Sequence, residues 1–311
     1  MEELATEFQQ HRSHLIAVAY RITGTLADAE DATQEAWLRL SRLDASQVDE
    51  IRDLRAWLTT VVSRIGLDRL RSAAVRRERY VGPWLPEPIV TAPEDEGPLA
   101  QVVRDEGVRM AAMVVLERLT PEQRVAFVLH DAFAVPFAEI AAILGCSDAA
   151  ARQHASRGRR AVADADPPPR ASIAEQQQVL TELTAAVLSG DLESVVRLLH
   201  PQVVLLGDSN GKERTARRAM IGADKVARFY LGLLRQYGPH ALTEATPILV
   251  NGDVGLYIPA GPDPDDRWSI ARRVAVIAVR DGKVAAAYDV VNPDKLTRVG
   301  PDQDPRTVAT P

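Results

Sequence analysis

Residues 119–162 read LTPEQRVAFVLHDAFAVPFAEIAAILGCSDAAARQHASRGRRAV, a stretch in which helix start and stop signals alternate with apolar runs. Thr120 is a suitable helix N-cap, Pro121 fits the first helical position, and Gln123 completes a capping box. A second, short helix is predicted over 137–144, because its apolar residues recur at helical spacing. The stretch therefore predicts helices joined by tight turns.

The last helix of this stretch is rich in arginine and follows a glycine turn at 145–147. Small residues at Ala151, Ala155 and Gly158 would let it lie close to its neighbours, which is the helix-turn-helix pattern of DNA-binding domains. Residues 152–160 hold four arginines and no acid, although the whole chain has a formal net charge of −6. The basic charge is therefore local.

The outward face of this helix is predicted to contact DNA. Arginine and glutamine pair with the edges of guanine and adenine, whereas arginines near the end of the helix are placed for phosphate. The candidate residues are Arg152, Gln153, His154, Ser156, Arg157, Arg159 and Arg160. Two alternatives stay open, a solvated basic helix and a helix bound to an acidic protein surface, and His154 fits the border of the core equally well.

Two helices nearer the N-terminus carry opposite charges. Residues 28–40, DAEDATQEAWLRL, form an acidic face beside an apolar one, and residues 54–79 hold seven arginines against two acids. This pair suggests a basic protein surface as partner of the first helix and nucleic acid as partner of the second. Charge alone favours a simpler alternative, in which the two amphipathic helices pack on each other.

Length and composition narrow the class of protein. The 311 residues exceed one compact core, so two or three domains are expected. The single cysteine excludes an internal disulfide framework and a cysteine-cluster metal site, and suits a reducing cytosol. The sequence has neither a signal-peptide pattern nor an apolar run of about 18 residues. We therefore expect a cytoplasmic protein without a membrane partner.

The sequence changes character twice along the chain. Residues 77–106 include five prolines and the acid cluster 94–96, which predicts a linker. Three prolines at 167–169 end the helical part, and residues 172–300 then combine helical patterns with β-rich runs separated by turn signals. Helices followed by a meander of hairpins predict an α+β domain with an antiparallel, curved sheet wrapped on helices.

At these residues the chain resembles an extracytoplasmic-function sigma factor, over about 160 residues. Residues 28–40 are similar to the helix that docks on the clamp of RNA polymerase, and 54–71 to the helix that helps melt and hold the −10 element. Residues 119–162 resemble the domain that reads the −35 element. Arg64 departs from the family, in which many members have asparagine.

The resemblance implies roles for individual residues. The implied contacts with core polymerase are Asp28, Glu30, Asp31, Gln34, Glu35 and Trp37. The implied contacts with the −10 element are Trp57, Arg64, Arg69 and Arg71.

Three further motifs resemble a sigma subgroup that carries a SnoaL-like C-terminal domain in place of a separate anti-sigma factor. WLPEP at 84–88 and NPDKL at 292–296 match, and DSNGK at 208–212 matches a glycine-rich turn with two glycines replaced. The implied regulatory residues are Trp84, Leu85, Pro86, Glu87, Pro88, Asp208, Asn210, Gly211, Lys212, Asn292, Pro293, Asp294, Lys295 and Leu296.

The resemblance implies a multidomain protein with two all-α sigma domains, the second containing the helix-turn-helix, and an α+β SnoaL/NTF2-like, cone-shaped C-terminal domain. The expected divisions are sigma domain 2 at 1–76, a linker at 77–106, sigma domain 4 at 107–164, a linker at 165–171, the SnoaL-like domain at 172–300 and a tail at 301–311. The expected partners are core RNA polymerase and promoter DNA. We expect promoter-specific initiation, modulated by contact of the C-terminal domain with the sigma domains or the linker. We expect no catalysis, metal, cofactor or dedicated anti-sigma factor.

The C-terminal domain leaves alternatives open. Cone-shaped folds of this kind often form a pocket, so a small-molecule ligand is compatible with the sequence. Candidate acid–base residues are His200, Asp208, Tyr257, Asp266 and Asp289, but no two have a spacing that demands chemistry. The rival functions are a one-component, ligand-responsive helix-turn-helix regulator and a SnoaL-type enzyme with a DNA-binding appendage. The first rival leaves the acidic and basic helix pair unexplained.

Overall fold

The computed structural model describes residues 2–77, 79–91, 98–103, 108–261 and 270–299. The described residues belong to two compact units. The first unit draws on Met1–Glu78, Glu96–Val108 and Ala112–Pro167, and the second on Arg79–Asp95, Arg109–Ala111 and Pro168–Pro311. The acid cluster 94–96, the candidate Asp266 and the predicted tail 301–311 lie outside the described residues.

The first unit is helical throughout its described part. Its helices are α1 (Glu2–Thr23), α2 (Leu26–Leu40), α3 (Ala45–Asp49), α4 (Leu54–Arg77), α5 (Pro98–Val103), α6 (Met110–Leu116, whose first two residues belong to the second unit), α7 (Pro121–Phe127), α8 (Phe137–Leu144) and α9 (Asp148–Ala165). A π-helical turn, Val128–Ala132, continues α7. The predicted capping box is present, since Thr120 and Gln123 each bond the other's backbone. The predicted helix over 137–144 is also confirmed.

The core of the first unit comes from helices with small or apolar faces. In α2 the side chains of Ala29, Ala32, Ala36 and Leu40 are fully buried. The alanines let α2 lie close to α1 and α4, and α1 and α4 also contact each other. None of the described helices is apolar enough over a sufficient length to cross a membrane.

The second unit is α+β, as predicted. Its elements are β1 (Val90–Thr91), α10 (Ile173–Ser189), α11 (Leu192–Leu198), β2 (Leu199–Asp208), β3 (Met220–Ile221), α12 (Ala223–Tyr237), α13 (His240–Thr243), β4 (Thr246–Val250), β5 (Asp253–Ile258), β6 (Arg273–Arg280) and β7 (Lys283–Val290). A 3-10 turn, Pro293–Lys295, follows β7. The strand order is β1-β4-β5-β6-β7-β2-β3.

Two features of this sheet differ from the sequence prediction. The sheet is not antiparallel throughout, because β2 and β7 pair in parallel, with Leu206 opposite Tyr288. Local turn signals predict hairpins between neighbours in sequence, whereas β2 and β7 are far apart in the chain, with α12 and the strands β4 to β6 between them. In addition, part of the predicted linker forms a strand, since Val90 pairs with Val250 at the edge of the sheet.

Candidate nucleic-acid interface and linker contact

The arginine-rich helix α9 packs closely on α7 through its small residues. Ala151 and Ala155 are fully buried. A Cβ atom at Gly158 would lie 2.9 Å from the Cβ of Phe127 and 3.0 Å from the carbonyl oxygen of Gln123. A larger side chain would therefore push the two helices apart, which confirms the small-residue packing face predicted from the sequence.

The opposite face of α9 is open to solvent. The exposed residues of this face are Arg152, Gln153, Ser156, Arg157, Arg159 and Arg160, and His154 is half-buried. The Arg152 guanidinium lies 4.5 Å from the centre of the Phe137 ring, and Arg159 pairs with Asp131 at 2.7 Å. These contacts hold two of the arginines in place. The contact of this face with DNA stays a prediction.

The acidic helix α2 and the basic helix α4 contact each other through charged residues. The guanidinium of Arg69 lies 2.9 Å from a carboxylate oxygen of Asp28 and 3.3 Å from one of Asp31. Burial opposes the charge on Arg69, but the hydrogen bonds that Arg69 donates to Asp28 and Asp31 outweigh burial and raise the pKa of the guanidinium. Residues predicted for two different partners are therefore paired with one another.

Four of the residues predicted to contact polymerase line a groove between α1 and α2. They are Glu30, Asp31, Gln34 and Trp37, and the groove volume is about 340 Å³. The Trp37 ring packs against Phe8, with the ring centres 5.1 Å apart. Glu35 is not part of this lining and pairs with Arg39 at 2.5 Å.

Two of the predicted −10 residues contact the helix-turn-helix within the first unit. Arg71 pairs with Glu122 at 3.0 Å, and Arg64 donates to the carbonyl oxygen of Ala142 at 3.3 Å. Burial alone would raise the pKa of Glu122. Hydrogen bonds to the carboxylate from its own backbone N–H and from the Arg71 guanidinium have the larger effect, so the pKa is lowered. Trp57 is half-buried in the first turns of α4. Two arginines predicted to contact DNA are thus engaged by another part of the chain.

The three motifs predicted to be regulatory meet in the second unit around the carboxylate of Asp208. Asp208 ends β2 and is fully buried. One of its oxygens accepts from the Leu85 backbone N–H at 2.7 Å and from the Lys295 ammonium at 2.6 Å. Its other oxygen accepts from the Tyr80 hydroxyl. Residues of WLPEP, DSNGK and NPDKL thus share one buried charge pair.

The ammonium group of Lys295 is held by the linker as well as by Asp208. It donates to the carbonyl oxygen of Leu85 and lies 3.8 Å from the centre of the Trp84 ring. The side-chain amide of Asn292 donates to the Tyr80 hydroxyl at 2.9 Å. We refer to a group of six residues as the linker latch: Tyr80, Trp84, Leu85, Asp208, Asn292 and Lys295.

The remaining motif residues surround the latch. Asn210 accepts from the Val81 backbone N–H at 3.3 Å, and a Cβ atom on Gly211 would come within 3.1 Å of the Val81 side chain. Lys212 pairs with Asp294 at 2.6 Å on the surface. Three motif residues, Pro86, Glu87 and Pro88, are buried beside Leu85, Leu296 is buried, and Pro293 begins the 3-10 turn.

Sequence reasoning missed Tyr80, which lies just outside WLPEP. Burial, followed by the nearby Asp208 carboxylate and its hydrogen bond to the hydroxyl, raises the pKa of Tyr80 above its usual value. The Tyr80 hydroxyl therefore keeps its proton at neutral pH and donates a hydrogen bond to Asp208. The only sign of its role in the sequence was the position of this aromatic residue, four residues before the WLPEP motif.

The turn at 251–253 was also missed as a contact site. The Asn251 side chain accepts from the Ile89 backbone N–H at 3.0 Å, and the Asn251 backbone N–H donates to the Ile89 carbonyl oxygen at 2.8 Å. Asp253 forms a buried pair with Arg109 at 2.9 Å. The asparagine, glycine and aspartate predicted a turn, and nothing local marked Asn251 as a partner of the linker or Asp253 as a partner of Arg109.

The four acid–base candidates that the structure describes do not form one cluster. Asp289 lines a cavity on the sheet, Asp208 belongs to the latch, and the ring of His200 accepts from the Gln202 backbone N–H outside that cavity. Tyr257 lies on β5 between cavity-lining neighbours but is not part of the lining.

Comparison with known proteins identifies the family. The family model for Sigma-70 region 2 matches residues 8–76, and that for Sigma-70, region 4 matches residues 109–162. Over 298 residues the chain is 56% identical to the ECF RNA polymerase sigma factor SigJ of Mycobacterium tuberculosis, covering 94% of this chain and 93% of that protein. The chain belongs to the ECF RNA polymerase sigma factors.

Two further comparisons agree with this assignment. A probable ECF RNA polymerase sigma factor, SigI of M. tuberculosis, is 30% identical over 95% of this sigma factor and 95% of its own length. The crystal structure of M. tuberculosis SigJ matches with a TM-score of 0.80 at 54% identity, covering 94% of this chain and 98% of that one. The protein is therefore a transcription initiation factor with two helical sigma regions and a C-terminal α+β domain.

Proposed function

We propose that this sigma factor binds core RNA polymerase, directs it to promoters through α4 and α9, and is modulated by a SnoaL-like C-terminal domain that holds the linker. The proposal rests chiefly on the exposed arginine and glutamine face of α9, which is backed by the close packing at Gly158. A rigid helix with outward donors can enter a major groove without reordering.

Base reading is assigned to the middle of α9. Gln153 and Arg157 are exposed and one helical turn apart, so both reach the same groove. A bidentate contact of this kind contributes about 1–3 kcal/mol to the discrimination between bases. Arg159 and Arg160 contact phosphate, because they lie in the later turns of the helix and carry charge without a base-specific requirement.

Polymerase binding is assigned to the groove between α1 and α2, with Glu30, Asp31, Gln34 and Trp37 as its lining. The −10 contacts are assigned to α4. Since Arg64 and Arg71 are engaged by α8 and α7, we propose that these contacts are released when DNA binds. Release costs little, because the Arg71 pair is solvent-exposed and exposed pairs contribute about 0–1 kcal/mol.

The modulatory role of the C-terminal domain is supported by the latch. The linker between the two sigma regions contacts that domain through a buried charge pair and through the edge strand β1. Because the linker and the domain belong to one chain, their local concentration is high, and latch contacts can bias the arrangement of the sigma regions. This mode of control needs no separate anti-sigma protein.

The test is in vitro transcription with purified core polymerase and a promoter that core alone ignores. Wild-type protein is expected to start transcripts there, and Arg157→Ala is expected to lower their yield by about tenfold, the equivalent of 1.4 kcal/mol. Arg197→Ala is the matched control, since Arg197 is an exposed arginine in the second unit. No promoter-dependent transcripts with wild-type protein, or full activity of Arg157→Ala, would contradict the proposal.

A further inference from the structure

The C-terminal domain contains an apolar cavity between its helices and the inner face of the sheet. The cavity has a volume of about 140 Å³, and its walls include Leu183 of α10, Phe229 of α12, Leu205 of β2 and Ala275 of β6. An engineered cavity of about 150 Å³ with apolar walls binds benzene. The space is therefore the size of a single ring or a short aliphatic chain.

One end of this cavity is polar and carries an unsatisfied acceptor. Asp289 of β7 is buried, with 8% of its surface exposed. One carboxylate oxygen accepts from Thr215 at 2.6 Å and from Arg273 at 3.3 Å. Among the described residues the other oxygen is buried and has no hydrogen-bond partner. Leaving such an oxygen unpaired is costly, so a donor is expected to meet it.

The surrounding charges specify the kind of donor. The Arg273 guanidinium lies beside Asp289 and balances its charge, so the site has no net attraction for a cation. Tyr230 also lines the cavity, and burial, followed by the nearby Asp289 carboxylate, raises the pKa of its hydroxyl. The polar end of the cavity is therefore an Asp289–Arg273 pair without net charge, in which one carboxylate oxygen is free to accept a hydrogen bond, and the surrounding walls are apolar.

We propose that the C-terminal domain binds a neutral small molecule with a ring-sized apolar body and one hydroxyl, which donates a hydrogen bond to the free oxygen of Asp289. This site goes beyond the proposed function, which needs no ligand. It also adjoins the latch. Asp289 lies opposite Gly207, which precedes Asp208, and the Thr215 side chain that bonds Asp289 packs against Gly207.

The test is ligand-observed ¹⁹F NMR on the full chain with 4-fluorophenol and fluorobenzene as probes. We expect saturable binding of 4-fluorophenol below about 10 mM and binding of fluorobenzene at least about tenfold weaker, because a hydrogen bond to a charged acceptor is lost. Ala275→Leu fills the cavity and should abolish binding of both probes. Ala285→Leu is the matched control, since Ala285 lies on β7 outside the lining, and it should bind like wild type.

Replacing Arg273 and Asp289 together tests the polar end of the cavity without leaving either charge buried and unpaired. In the variant that combines Arg273→Met with Asp289→Leu, the core remains apolar and packed, and we expect the two probes to bind equally. The proposal is overturned if neither probe saturates with wild-type protein, if fluorobenzene binds as tightly as 4-fluorophenol, or if the folded double variant keeps the preference for the phenol. Unchanged binding to Ala275→Leu would place the probes elsewhere and overturn it as well.

Discussion

Lys295 and Asp208 form a buried ion pair, with 2.6 Å between the ammonium nitrogen and a carboxylate oxygen. Burying two charges is costly unless further hydrogen bonds satisfy them. Here the linker supplies those bonds, because the Leu85 N–H donates to Asp208 and the Leu85 carbonyl oxygen accepts from Lys295. The linker backbone thus takes the place of water around the two charges, and these hydrogen bonds in turn hold the linker in position.

Breaking this pair is expected to release the linker. Lys295→Met leaves the Asp208 carboxylate buried without its cation, a change that costs about 3–5 kcal/mol. We expect faster proteolytic cleavage within residues 79–91 and a lower thermal midpoint of unfolding. Lys212→Met is the matched control, because the Lys212–Asp294 pair is exposed and should contribute about 1 kcal/mol or less. Equal cleavage of the two variants would argue against the latch.

Because the Tyr80 hydroxyl must stay protonated to donate to Asp208, we expect the latch to lose stability at alkaline pH. Its folded-state pKa is raised above the unfolded value of about 10, so its contribution is complete below pH 10 and is lost as pH rises further. Tyr80→Phe should lower the free energy of unfolding at pH 7 by about 1–3 kcal/mol and weaken the decline above pH 10. Urea unfolding at about pH 8 and pH 10.5 measures both effects, and identical pH profiles would contradict this role.

Because His14 is partly buried in its neutral form, we expect the first unit to lose stability in acid. Burial, followed by the nearby Arg55, Arg21 and His11, lowers the pKa of His14 to about 4. Arg55 donates to Nδ1 at 3.2 Å, so the proton of the neutral ring lies on Nε2, 3.0 Å from the Thr59 hydroxyl.

Because the folded-state pKa of His14 is depressed, its contribution is complete above the unfolded value of about 6.5 and is lost as pH falls toward 4. Thermal melts at pH 7 and at about pH 5 should show a larger decrease for wild type than for His14→Gln, which cannot take up a proton. An equal decrease in the two proteins would contradict the assignment of this titration to His14.

Glu122 is expected to restrain the DNA affinity of α4. Glu122→Ala removes the partner of Arg71 and frees a cation for phosphate. We expect tighter non-specific binding to duplex DNA and a slope of log affinity against log salt that steepens by about 1. Glu182→Ala, which removes an acid from α10 in the second unit, serves as the control. Fluorescence anisotropy at several salt concentrations measures the effect, and an unchanged slope would contradict it.

The sequence predicted what local chemistry encodes. The capping box at Thr120, the helix over 137–144 and the small-residue face at Gly158 follow from the spacing of neighbouring residues, and each is present. The resemblance also marked the three motifs that meet at the latch. It did not reveal that they meet, because contacts between residues as distant in sequence as Tyr80 and Asp208 depend on the tertiary fold.

The register of the sheet explains the other failures of prediction. Asp289 was one of five acid–base candidates, and only its position on β7 beside Thr215 and Arg273 distinguishes it from the others. The parallel pairing of β2 with β7 was missed for a related reason. Sequence periodicity gives the face of a strand but does not give its neighbour.

Control of the sigma factor by the latch is measured directly by promoter-dependent transcription. Wild type, Lys295→Met and Lys212→Met would be compared with the same core polymerase and the same promoter at equal concentrations of folded protein. We predict that Lys295→Met changes the yield of transcripts at least about threefold, the equivalent of about 0.65 kcal/mol, and that Lys212→Met matches wild type. Equal yields from all three proteins, with the linker of Lys295→Met shown to be released, would mean that the latch does not control the sigma factor.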